Sequence, residues 1–167
     1  MKSISKKYFS ALMAVALAFS CLCIPSVAAE TEEAGFAYND APMSWILCDE
    51  DGNIVQTSNP LSRVSYSGVS IPNGYTVFFY ADSDNSFFSL LKDTAVNFTV
   101  IWSNNTQYIM GYDKGSVGSG TTEIYSTSAG NGGYGTQITI PSTAKYVFWV
   151  TNMSTNTKTL SSASVNS

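Results

Sequence analysis

Apolar and polar residues alternate with period two along much of this 167-residue chain, and clusters of Gly, Pro, Asn, Asp and Ser interrupt the alternation. Successive side chains of a strand point to opposite faces, so this is the pattern of β-strands joined by turns. The clearest case is Ala95 to Ser103, with Val96, Phe98, Val100 and Trp102 on one face and Asn97, Thr99 and Ser103 on the other. It predicts a half-buried strand whose even-numbered residues face the core. Tyr146 to Val150 is apolar on both faces, as is Tyr75 to Tyr80. Such strands must be covered twice, so a second layer has to pack over their sheet. Thr136 to Asn152 therefore reads as a β-hairpin, in which Ile138 and Ile140 alternate with polar residues, Pro141-Ser142 turns, and the doubly apolar strand returns.

The same reading places a strand over Met43 to Cys48, a tight turn at Asp49-Glu50-Asp51-Gly52 and a returning strand over Asn53 to Thr57. An Asp-Gly pair between apolar runs is a strong hairpin signal, because glycine accepts the positive φ that the turn needs. Phe36 and Tyr38 open a first strand, and Arg63 to Ile71 forms another, with Gly68 marking a bulge. Pro72-Asn73-Gly74 is a turn, and Phe87 to Leu91 is a short run whose type stays open. From Gly111 to Gly135 the chain holds eight of its twelve glycines. This predicts the longest loops, with Thr121 to Ser126 as the strand-like piece inside them. Lys158 to Val165 is rich in Ser and Thr and suits a polar last strand at a sheet edge. Helical periodicity is absent outside the first 29 residues.

The fold class that follows is all-β, a two-sheet antiparallel, jelly-roll-like β-sandwich in one domain over residues 30–167. Trp45 to Ile54 also lies over Tyr108 to Val117 without a gap, and Val69 to Phe79 over Ile138 to Trp149 with one residue inserted. Two explanations stay open: a duplication into two similar four-strand units, or the period and turn glycines that any two hairpins share.

Residues 1–29 change the picture of where the chain works. Lys2, Lys6 and Lys7 precede an apolar run from Tyr8 to Ile24, and Ser26-Val27-Ala28-Ala29 supplies small residues at a signal-peptidase spacing. This is the pattern of a secretory signal peptide cleaved after Ala29, which predicts a secreted, extracellular protein without a membrane segment. A spanning anchor needs roughly 20 apolar residues and basic flanks. Here the flank is the acidic Glu30-Thr31-Glu32-Glu33. Lipidation at Cys21 is a competing fate, for which Phe19 and Ala18 fit the cleavage site poorly. Cleavage leaves five basic against twelve acidic residues, a formal charge of −7. Arg63, Lys92, Lys114, Lys145 and Lys158 are scattered, so no basic patch offers phosphate contacts and nucleic acid is not an expected partner.

Of three cysteines only Cys48 stays after cleavage, at the end of the apolar run Trp45-Ile46-Leu47, where a buried inert thiol is expected. The chain has no histidine. Ser-His and Cys-His catalytic pairs and histidine-ligated metal sites are thereby excluded, and no motif calls for a cofactor.

Three sets of residues invite chemistry. Asp49, Asp51 and Asn53 alternate across the first turn like the early ligands of a calcium loop, and Asp82 and Asp84, with Asn85, make a second acidic cluster. A calcium loop of the EF-hand type needs glycine sixth and glutamate twelfth. Here the glycine is fourth and the twelfth residue is Pro60, so the competing reading is a solvated turn whose Asp and Asn bond their own backbone. Asp49, Glu50, Asp51, Asp113 and Glu123 could supply the carboxylate pair of a glycoside hydrolase. Sitting mostly in turns beside Gly or Ser, they are expected to be solvated, without raised pKa values. The third set is aromatic: Tyr112, Tyr125 and Tyr134 lie in the glycine-rich region and could stack on a sugar face while their hydroxyls meet its oxygens. For Tyr125 the alternative is burial by ordinary packing in a strand over Thr121 to Ser126, and for Tyr134 a hydrophobic plug for the adjoining hairpin. Asn97, Asn104 and Asn152 head matches to the N-glycan acceptor pattern.

With strands of the type Ala95 to Ser103 and the ending Ile138-Thr139-Ile140-Pro141 to Val150-Thr151-Asn152, the last seventy residues resemble small jelly-roll sandwiches appended to secreted bacterial proteins, notably pre-peptidase C-terminal domains. Where that family has a Gly-x-Tyr turn this chain has Ala144-Lys145-Tyr146. In place of its acidic Asp-x-Asp run stands Asn104-Asn105-Thr106, without carboxylates for that family's calcium site. The resemblance implies an accessory or binding role without catalysis. Together these readings predict a secreted, non-catalytic binding or surface-interaction module, with extracellular glycan or another surface protein as partner. The alternatives are a structural or adhesive subunit that pairs through an edge strand, and a carboxylate-dependent glycoside hydrolase.

Overall fold

A computed structural model describes residues 36–38, 41–58, 68–81, 85–127 and 130–167. The signal region with Ala29 and Cys21, most of the expected Arg63–Ile71 strand, and Asp82 and Asp84 lie outside the described residues. Within them the chain forms thirteen strands and no helix. These are β1 (Phe36–Tyr38), β2 (Ala41–Pro42), β3 (Ser44–Cys48), β4 (Ile54–Thr57), β5 (Val69–Ile71), β6 (Thr76–Tyr80) and β7 (Phe88–Leu90). They continue as β8 (Ala95–Thr106), β9 (Tyr108–Lys114), β10 (Thr122–Ser126), β11 (Asn131–Thr139), β12 (Ala144–Asn152) and β13 (Lys158–Asn166).

Two sheets result. Sheet A has the order β11-β8-β13-β1-β2, with β5 also beside β13, and sheet B the order β10-β9-β12-β6-β3-β4, with β7 also beside β12. Pairing is antiparallel except for β1, which runs parallel to β13. The core lies between the sheets. Trp45, Leu47, Val77, Phe79, Tyr146, Phe148 and Val150 of sheet B meet Val96, Phe98, Val100, Trp102, Leu160 and Val165 of sheet A. Phe98 bridges the layers, with ring centroids 6.0 Å from Phe79 and 5.1 Å from Phe148. The alternation in β8 is the expected one, with even-numbered residues buried from Val96 to Trp102. The Asp49–Gly52 turn joins the paired strands β3 and β4, and Gly52 takes φ 84° there.

Three sequence expectations are corrected. The Thr136–Asn152 segment is not a hairpin: β11 pairs with β8 in sheet A, whereas β12 pairs with β6, β7 and β9 in sheet B. The Pro141-Ser142 turn carries the chain across the sandwich, and a period-two pattern cannot tell such a crossing from a hairpin because both keep the apolar face inward. β12 is nonetheless buried on both faces, from Tyr146 to Asn152. The final strand is not an edge. β13 has β8 on one side and β5 and β1 on the other. A register shift between Leu160 and Ser162 resets its alternation so that Leu160, Ala163 and Val165 all reach the core.

The glycine-rich region, finally, is largely strand. Asn131–Thr139 forms β11 straight through Gly132, Gly133 and Gly135. A Cβ at Gly133 would stand 2.8 Å from the Val100 carbonyl oxygen, and one at Gly135 2.7 Å from Thr99 Oγ1. The glycines there allow close approach to β8 rather than chain reversal.

Sheet B reads symmetrically about the β12–β6 pair, with β9 outside β12 and β3 outside β6. The inserted residue in the internal alignment is overturned by side-chain direction. It lays Phe79, which faces the sandwich core, over Trp149, which faces outward, whereas Phe79 and Phe148 both face inward.

The outer face of sheet B is the second layer demanded by the doubly apolar strands. Ile46, Cys48, Phe78, Tyr80, Val147 and Trp149 are buried there, joined by Val117 from the loop after β9. Gly111 lies opposite Trp149, and a Cβ at Gly111 would overlap the indole and the Thr122 carbonyl oxygen. Gly111→Ala must push β10 from β9 or expel the ring. We expect a loss of about 1–3 kcal/mol in urea unfolding, with an unchanged denaturant slope. A midpoint equal to wild type would disprove the close packing of glycine on indole.

Candidate functional site

The three tyrosines singled out from sequence do not form one surface. Tyr112, on β9, is 7 % exposed and packs in the core, edge-on to Tyr146 at 5.5 Å and to Phe148 at 6.2 Å. Its faces are not open to a sugar, and the expectation of a surface ring at Tyr112 is corrected. The reason lies in β9, where Tyr108, Met110 and Tyr112 share the inward parity. Tyr125 on β10 and Tyr134 on β11 do come together. Their rings stack at 3.8 Å with planes 10° apart, across the open side between the edge strands of the two sheets.

Each of these two rings thus spends one face on the other, and both pack against the core as partly buried side chains. Behind them Tyr108 is fully buried, 5.7 Å from Tyr125 and 5.5 Å from Trp102. Burial, with the hydroxyls of Tyr125 and Tyr134 adding to it, pushes the Tyr108 phenol up to about 12. This tyrosine hydroxyl and the Trp102 indole N–H are buried donors without a hydrogen-bond partner among the described residues.

The first acidic turn is self-contained. Asp49 Oδ1 accepts from the backbone N–H of Asp51 at 2.9 Å and of Asn53 at 2.8 Å, and Oδ2 accepts from Asn53 Nδ2 at 2.9 Å. These bonds, led by the Asn53 side chain, hold the Asp49 carboxyl below its usual range. Among the described residues no group of three His, Cys, Asp or Glu side chains is placed to hold a metal ion. Cys48 is buried, and desolvation, reinforced by Asp49, pushes its thiol up to about 12, so the thiolate is scarce at neutral pH.

Asp113 departs from the expectation of solvated carboxylates. It is 2 % exposed, at the end of β9, where Tyr112-Asp113-Lys114-Gly115 reads in sequence as one more polar turn. Its Oδ1 accepts the Trp149 indole N–H at 3.0 Å, its Oδ2 accepts the backbone N–H of Gly118, and the Thr121 side chain adds a third bond. Desolvation outweighs these donors and raises its pKa. Nearby, burial and the neighbouring Cys48 and Asp113 also push the Tyr80 phenol up. Of the acceptor-pattern asparagines, Asn152 is fully buried. Its Nδ2 donates to the Ile71 and Asn156 carbonyls, at 2.8 and 2.9 Å. The need of Trp149 for an acceptor, two residues along the strand face from Gly111, was the one signal for Asp113 in the sequence.

What remains open is the outer face of sheet A. Asn97, Ile101 and Ser103 of β8, Gly135, Gln137 and Thr139 of β11 are exposed, and Thr99, Ser162, Ser164 and Asn166 are half-buried. Register aligns them in rows across three strands: Gln137, Asn97 and Asn166 in one, Gly135, Thr99 and Ser164 in the next. Ser103 and Ser161 share a hydroxyl contact at 2.7 Å. β8, β11 and β13 together carry one charged residue, Lys158, which pairs with the inward-facing Ile71. No protein-family model, curated protein or solved structure matches this chain.

Two outcomes test this description. Added chelator is expected to leave the thermal midpoint unchanged, because the Asp49 oxygens are committed to their own turn; a fall of several degrees would reveal a structural ion. For Asp113 the folded pKa lies above the unfolded one, so its ionisation costs stability as pH rises from about 4 through the folded value. Asp113→Asn exchanges one acceptor for a donor and loses about 1–3 kcal/mol at low pH. The deficit should shrink as pH rises through that window, measured by urea unfolding at a series of pH values. A deficit that grows with pH would show a carboxylate stabilised by its donors.

Proposed function

We propose that this protein is a secreted, non-catalytic surface-interaction module that binds an uncharged, hydroxyl-rich ligand, an extracellular glycan, on the outer face of sheet A. The observation that carries the reading is the face itself, a plane mainly of hydroxyl and amide groups around an exposed Ile101, without charge in a chain that has twenty charged residues. Groups of that kind both donate and accept, as sugar hydroxyls do, and strand spacing repeats them at about 4.8 Å across the sheet. A rigid sheet holds them without further loss of backbone entropy. The signal-peptide pattern and the resemblance of the last seventy residues to accessory sandwich domains both fit this role.

Retention on a panel of insoluble polysaccharides tests the reading. Asn97→Glu combined with Ser164→Glu adds two charges to the plane without touching the core, and should lower retention at least tenfold. Equal retention by the folded double mutant would place the ligand elsewhere. If the wild type is retained by no member of the panel, the glycan reading falls.

A further inference from the structure

We infer that a second copy of this chain pairs with β11, antiparallel and about a two-fold axis at Thr136, joining two A sheets into one. Among the described residues β11 has β8 as its one partner, and it is nine residues long. The other sheet margins are shorter or defended: β2 has two residues and a proline, β4 has four residues, and β10 has five with Glu123 among them. β11 contains no charge and no proline, two of the devices by which exposed edges avoid further pairing, and its register shift, between Asn131 and Gly133, precedes the segment 133–139 that would pair.

The strand is also complementary to itself. Its inward residues Tyr134, Thr136 and Ile138 stand opposite buried Val100, Phe98 and Val96 of β8, yet are themselves only partly buried. Pairing about Thr136 sets Tyr134 against Ile138 of the second copy twice and Thr136 against its own equivalent. Aromatic with β-branched and Thr with Thr are favourable cross-strand pairs. On the outer side Gly135 meets Gln137 and Gly133 meets Thr139, small against larger. The acidic chain meets its copy where neither brings a charge, and the two uncharged outer faces become one continuous plane. The inference does not depend on what that plane binds.

Sedimentation of the secreted protein over a range of concentrations should give twice the chain mass, and Thr136→Lys, which opposes two like charges at the axis, should return it to one. Thr136→Cys should form a covalent dimer on mild oxidation, because directly opposed strand residues lie within disulfide reach. Thr139→Cys, far from its own equivalent in this register, should not, and buried Cys48 is common to both. Circular dichroism verifies that each variant is folded. A wild type of single-chain mass at all concentrations overturns the proposal, as does a dimer in which Thr136→Cys cross-links no better than Thr139→Cys. In either case edge pairing fails while glycan retention is judged separately.

Discussion

The burial of β12 on both faces is the constraint from which the rest of the structure follows. Tyr146, Phe148 and Val150 point into the sandwich, where Phe148 touches Phe88, Phe98 and Tyr112. Val147 and Trp149 point the other way. A strand with large side chains on both faces is stable only when both are removed from water, and each such side chain contributes about 1.5–3 kcal/mol on full burial. Sheet A supplies the cover on one side. On the other, the loop after β9 folds back so that Val117 lies in the outer cluster and the backbone of Gly118 reaches Asp113.

That outer layer explains why an acidic residue is buried at the end of β9. The Trp149 indole lies over Gly111, and its N–H would be a buried donor without Asp113. An unpaired donor costs about as much as the desolvation of a polar group, so the carboxylate and the indole are best regarded as one unit. The raised pKa of Asp113 is the electrostatic trace of that arrangement. At the last residue of β12, Asn152 performs a similar service, binding the end of β5 and the turn after β12 through its side-chain amide. Polar side chains thus fasten, at Trp149 and at its last residue, the strand that the apolar ones bury.

The surface left over is shaped by the same economy. The central strands of sheet B bury apolar residues on both faces, which leaves the outer face of sheet A as the open one. Its outer face is polar yet uncharged, and its margin at β11 is long and unguarded. These two features are adjacent, since β11 contributes Gln137 and Thr139 to the face and its backbone to the margin.

The sequence by itself determined the alternation of β8, the double burial of β6 and β12, the Asp49–Gly52 hairpin and the burial of Cys48, because period-two alternation and turn chemistry are local and survive without knowledge of partners. It also showed that β12 needed two covers. Only the tertiary structure decided which strands pair: that β11 and β12 part to different sheets, that β13 is central, and that the glycines of β11 serve close approach to β8. Alternation fixes which face of a strand is buried but not what lies beside it, and a glycine in sequence looks alike whether it turns the chain or makes room for a neighbour. The candidate tyrosines show the same limit. Tyr112 differs from Tyr125 and Tyr134 not in its residue type but in lying on a strand flanked on both sides, whereas theirs are sheet margins. The uncharged face of sheet A was written in β8, β11 and β13 all along, yet it exists as a face only once the register sets their outward residues side by side.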